Sequence, residues 1–145
     1  MEAMRYPPHI TLAIYDNAES QELADAVDSV FKHREGASIR FDGLGLFDTP
    51  SAIVVWAKPQ LPGWIREAHE AIHSRLDARR CRENYRPGRW RPHCSLALAV
   101  DVAKRNEAIA LAERSVVPFD VLFDVADCAT FPPVKVLHEV HLRGA

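Results

Sequence analysis

The chain has 145 residues, 48% of them hydrophobic, with a net charge of -2 and three cysteines. That length and composition suit one globular domain with a core and argue against both disorder and unspecific coating of nucleic acid. No run approaches the roughly 20 apolar residues of a membrane span, the first residues given lack the basic-then-apolar layout expected of a signal peptide, and Cys81, Cys94 and Cys128 form no C-x-x-C pair. The expectation is a cytoplasmic protein with three buried or partly buried thiols and no membrane contact.

In chain order, residues 9–15 form a short apolar strand candidate, and Asp16 with Glu19 three residues on has the spacing of a helix-capping pair. Leu23, Ala26, Val27, Val30 and Phe31 then recur at helical spacing, and Gly36 ends that helix. Residues 39–47 and 52–57 read as two strands joined by the Asp48-Thr49-Pro50-Ser51 turn. Pro62 opens a second helix whose buried stripe is Ile65, Ala68, Ile72 and Leu76. After a strand through residues 92–98, Asp101 caps a helix carrying Ala108, Ile109 and Ala112, which Pro118 closes. Phe119, Val121, Phe123 and Val125 alternate as one strand, Pro132-Pro133 turns the chain, and Val134, Val136, His138, Val140 and Leu142 alternate as the last.

Two segments of this chain read almost alike, Pro8-His9-Ile10-Thr11-Leu12 and Pro92-His93-Cys94-Ser95-Leu96. Side chains alternate along a strand, so His9 shares a face with Thr11, and His93 with Ser95. Each segment offers an imidazole beside a hydroxyl. The surroundings repeat as well, since each motif leads through a helix into a strand opening with Phe-Asp, Phe41-Asp42 and Phe119-Asp120. A duplication of this kind builds two lobes about a pseudo-twofold axis with both motifs lining one cleft. A lone histidine in such a setting is more often structural than catalytic, and the duplication is what favours a shared site. Between Arg79 and Arg91 lie six arginines against the single acid Glu83, a third of all Lys and Arg in the chain. This segment leads straight into the second motif. Arg91 is placed to project toward the cleft, with Arg89 and Arg86 farther out, and an arginine fork matches phosphate oxygens. Trp90, Tyr85 and Tyr6 are candidates to stack on a nucleobase, with core packing the equal alternative.

On the paired His9-Ile10-Thr11 and His93-Cys94-Ser95 motifs, the chain resembles the two-histidine phosphoesterases, which include 2′-5′ RNA ligase-like proteins and 2′,3′-cyclic nucleotide phosphodiesterases. The resemblance spans most of the chain. It implies a single α+β domain over residues 1–145 with two lobes, two antiparallel or mixed sheets, outer helices and a central cleft. It implies metal-independent phosphodiester chemistry without a cofactor, on RNA ends or small cyclic nucleotides, with ligation as the reverse reaction. His93 and His9 become base and acid, and Thr11 and Ser95 phosphate-oxygen donors; Arg91, Arg89, Trp90 and Tyr6 are the substrate-side candidates. One departure stands out. Family members carry a strand and helix ahead of the first motif, matching residues 52–80 of the second lobe, and here about eight residues precede His9. The first lobe is therefore expected to be trimmed, completed by another chain through its unpaired edge, or read from an internal methionine.

Two other function classes compete. A binder of nucleotides or RNA would use the same cleft without turnover, though it has no need of proton-transfer groups on both sides. His69-Glu70-Ala71-Ile72-His73 fits the H-E-x-x-H pattern of zinc peptidases, but Leu76 and Arg79 occupy the places of the following glycine and third histidine in one large class of them. A chance match on an amphipathic helix is the expected reading. His138 is expected in the core or at the cleft edge, His33 and His141 at the surface, and Asp124 and Asp127 on solvated strand edges.

Overall fold

The computed structural model describes residues 6–144. A segment without regular secondary structure leads into α1 (Ser20–Phe31), the β1 (Ala37–Asp48) and β2 (Ile53–Gln60) hairpin, and α2 (Gly63–Arg75). β3 (Cys94–Val100), α3 (Arg105–Ala112), β4 (Phe119–Phe123), β5 (Val125–Thr130) and β6 (Lys135–His141) complete the chain. Four strands form one antiparallel sheet in the order β3-β2-β1-β4, and β5 with β6 forms a second. The α+β class with two antiparallel sheets is as expected.

The helical stripes behave as their spacing predicts. Ala26, Val27, Val30 and Phe31 of α1 pack against Ala68, Ile72 and Leu76 on and just after α2, and against Val140 and Leu142 on and just after β6. Ile65, one turn earlier on α2, turns to the larger sheet and joins Ala37, Ile39, Phe41, Ala57 and Cys94. A single helix thus ties both sheets together. Each fully buried Val, Ile, Leu or Phe side chain of these clusters contributes roughly 1.5–3 kcal/mol. Ile10, Leu12 and Trp90 pack at the margin of the second cluster, which fixes the first motif beside the larger sheet.

Four expectations change. Residues 7–14 join no ladder among the described residues, whose one link here is the Tyr15 to Cys81 bridge. Their carbonyls serve other donors: Arg82 N–H donates to Ile14 O (2.9 Å), and the Trp90 indole donates to Thr11 O (3.0 Å). Asp16 does not cap α1, whose N-cap is Glu19 without a side-chain bond; its carboxylate binds the Arg82 guanidinium instead. The single strand expected from Phe119 to Val125 divides at Asp124, so that β4 pairs with β1 and β5 pairs with β6. The chain changes sheets there, and the larger sheet takes strands from both halves of the repeat. Asp101 caps a short turn at Val102–Lys104, accepting from Ala103 N–H, before α3 begins.

Candidate active site

Both motif histidines are anchored in the same way. His9 Nδ1 lies 2.9 Å from the Pro7 carbonyl and His93 Nδ1 lies 2.8 Å from the Arg91 carbonyl, each two residues back along the chain. A carbonyl oxygen only accepts, so Nδ1 carries the proton in each ring and donates it. The consequence is chemical. Each neutral imidazole leaves Nε2 with a free lone pair able to take a proton, and each imidazolium presents an Nε2–H able to give one.

The two motifs dock against each other through their inward residues. The Cys94 thiol, buried on the core face of β3, lies against the backbone of His9; burial raises its pKa and that contact works in the opposite direction. Ile10 and Leu12 enter the same apolar cluster, which seats the first motif beside the second, and on β3 alternation turns Ser95 away from the core face that Cys94 occupies. Around His93 the walls are aromatic. Phe47 meets its ring edge-on at 4.8 Å between centroids, and Trp56 lies at 5.9 Å. Around His9 the neighbour is Tyr6, edge-on at 4.8 Å, whose hydroxyl donates to Asp127 of β5. Burial and that carboxylate together raise the Tyr6 pKa. Asp127, expected on a solvated edge, is thus half-buried and holds the approach to the first motif.

Most arginines of the segment 79–91 are tied to neighbouring groups of the fold. Arg79 pairs with Asp77, Arg80 with Glu22, Arg82 with Asp16 and Arg89 with Glu83. Arg86 donates to the Cys81 and Arg79 carbonyls. These charges fold the loop onto itself and onto residues 16–22. Only Arg91 of the six is exposed without an ion pair or side-chain hydrogen bond among the described residues, which leaves it available at the start of the second motif. Trp90 is engaged too, since its indole N–H is given to Thr11 O and one face stacks on His69 at 4.2 Å with a 7° tilt. Tyr85 is half-buried, and burial raises its pKa.

His69 and His73 are 4% and 6% exposed and hold backbone together. His69 Nε2 donates to the Tyr85 carbonyl (2.8 Å), and His73 Nε2 lies 3.2 Å from it. His73 Nδ1 lies 2.6 Å from the Tyr15 hydroxyl, which completes a chain of polar contacts from Tyr85 through both rings to Tyr15. Burial lowers the pKa of both, and the proximity of His69 lowers that of His73 further. Glu70 between them is exposed, and no three His, Cys, Asp or Glu among the described residues converge as a metal-ligand group. The H-E-x-x-H pair is a clasp joining α2, the arginine loop and residues 12–15. Of the other histidines, His33 and His141 are exposed as expected, and His138 is half-buried on β6, 3.5 Å from Asp28 of α1.

Sequence reasoning missed Phe47 and Trp56, which the strand register brings to His93 across 37 or more residues of chain. An α+β fold with one H-x-(T/S) segment entering β3 of the larger sheet and a second packed beside that sheet is consistent with the two-histidine phosphoesterase class. The chain matches the family model of the 2′-5′ RNA ligase superfamily over residues 2–129, most of its length, and belongs to that superfamily. This sets the class of chemistry as phosphoester transfer of the RNA-ligase-like kind. A search of curated proteins found no match. No helix among the described residues is long and apolar enough to cross a membrane.

Proposed function

We propose that this chain is a metal-independent phosphodiesterase that opens 2′,3′-cyclic phosphates on RNA ends or small nucleotides. The observation that carries the reading is the matched anchoring of His9 and His93, each Nδ1–H given to the carbonyl two residues back. A hydrolase working without metal needs one base and one acid in opposite protonation states, and two imidazoles with free Nε2 atoms meet that need. In the forward reaction neutral His93 takes a proton from water through Nε2 as the oxygen attacks phosphorus. The bond from phosphorus to one ribose oxygen breaks, and His9, protonated at the start, gives its Nε2 proton to that departing oxygen. The cycle closes when a proton passes from His93 to His9 through solvent. Thr11 and Ser95, on the same faces as the histidines, donate to the non-bridging oxygens, where charge grows in the transition state. Arg91 adds a cation at the rim.

The test is hydrolysis of 2′,3′-cyclic nucleotides by the purified protein in excess EDTA. Turnover that persists in EDTA and is lost in His9→Ala and in His93→Ala is the expected result. Activity abolished by EDTA and by His69→Ala would instead support a zinc hydrolase, and tight nucleotide binding without product would make the chain a binder.

A further inference from the structure

We infer that Trp56, seated on Gly45, is a positioning residue that sets the orientation of the His93 imidazole, and that residue 45 is glycine to admit it. This rests on the proposed role of His93. Gly45, Trp56 and Ser95 form one rung across β1, β2 and β3, since Gly45 pairs with Trp56 and Trp56 pairs with Ser95. Phe47 and His93 lie two residues along from Gly45 and Ser95, so all five occupy one face of the sheet. On that face the indole stacks with Phe47 at 5.1 Å, and both rings contact His93, Phe47 at 4.8 Å and Trp56 at 5.9 Å. A Cβ at residue 45 would fall 2.3 Å from Trp56 Cζ2 and 2.5 Å from Cε2. The indole is rigid, so it must move if residue 45 gains a side chain.

Trp56 is 6% exposed, and its indole N–H finds no hydrogen-bond partner among the described residues. An unpartnered buried donor opposes folding, so this ring is held there by what it touches and not by its polar atom. Its contacts include the glycine, Phe47 and His93. Together with the Arg91 carbonyl on Nδ1, these contacts hold the imidazole by one nitrogen and by its ring walls, leaving Nε2 as the unconstrained atom. His9 has no such box among the described residues, only Tyr6, so the two motifs differ in rigidity although their local anchors match.

The experiment is a double-mutant cycle of Gly45→Ala and Trp56→Leu, read by kcat and KM on a 2′,3′-cyclic nucleotide and by NMR titration of the His93 ring. Misplacement of a catalytic group by about an ångström costs roughly a hundredfold in rate. Gly45→Ala alone is expected to lower kcat by about that factor with KM changed less than about threefold, and to shift the His93 titration. In the Trp56→Leu background, where the Cβ has room, the same substitution is expected to cost less than about threefold. Equal losses in both backgrounds, or a folded Gly45→Ala protein with unaltered His93 resonances and rate, would overturn the inference. If Gly45→Ala does not fold, Trp56→Phe carries the test: a lowered kcat and a shifted His93 titration support the assignment, and no change in either refutes it. If the parent protein turns over no cyclic nucleotide, the functional reading fails while the NMR arm still judges the positioning role.

Discussion

Acidification below pH 6.5 should destabilise this protein through His69 and His73. Both imidazoles are neutral in the fold because burial lowers their pKa, and a second proton would set two N–H groups face to face across the 3.2 Å gap between the Nε2 atoms. In the unfolded chain each titrates near 6.5. Above that value neither state binds the extra protons, so this contribution to stability is fully present. As pH falls below 6.5 the unfolded state takes up protons that the fold refuses, and stability declines until the depressed folded pKa is reached. Each histidine contributes a limiting slope of about 1.4 kcal/mol per pH unit, so the pair accounts for up to about 2.7 kcal/mol between pH 7.5 and 5.5. With a urea m-value of about 2 kcal/mol/M, that is a fall of about 1.4 M in the unfolding midpoint. Urea unfolding of the parent and of a His69→Gln/His73→Gln variant at pH 7.5, 6.5 and 5.5 measures it. A parent midpoint that stays level or rises on acidification, or a decline of equal size in the variant, would refute the clasp.

Trp90→Phe keeps a ring against His69 but removes the donor to Thr11 O; stability should fall by about 1 kcal/mol, seen as a Tm lower by about 2–4 °C, with kcat reduced because Thr11 loses its tether. Ser95→Ala and Thr11→Val each remove one hydroxyl that faces the proposed phosphate, and steady-state kinetics should show kcat lower by about a hundredfold with the melting temperature nearly unchanged.

What could be read in the sequence was whatever local periodicity encodes. The stripe through Ala26, Val27, Val30 and Phe31, the one through Ile65, Ala68, Ile72 and Leu76, and the hairpin about Pro50 all fold as their spacing predicts, because each reports a face that must be buried. The paired H-x-(T/S) segments were equally visible. Partners distant along the chain were not. Asp16 and Glu19 have capping spacing, yet an arginine 66 residues away offers Asp16 two charged hydrogen bonds and takes it. Alternation through Phe119–Val125 predicts one strand and cannot reveal that Asp124 is where the chain leaves β1 for β6. The first motif reads as a strand from its apolar residues, but ladder pairing depends on a neighbour that its own sequence does not name. The ion pairs of the arginine-rich segment were not visible either, because charge counting does not show that Glu22, Asp16, Asp77 and Glu83 lie within reach. Gly45 carried the signal for Trp56, though only the register between their strands gives it meaning.

The central claim is that His9 and His93 address one phosphorus atom. A crystal structure of the protein with inorganic phosphate bound tests it most directly. The account predicts one phosphate with the Nε2 atoms of both histidines within about 2.7–3.2 Å of its oxygens and the Thr11 and Ser95 hydroxyls donating to it. A phosphate held by one histidine alone, or seated on the arginine loop away from both, would contradict it.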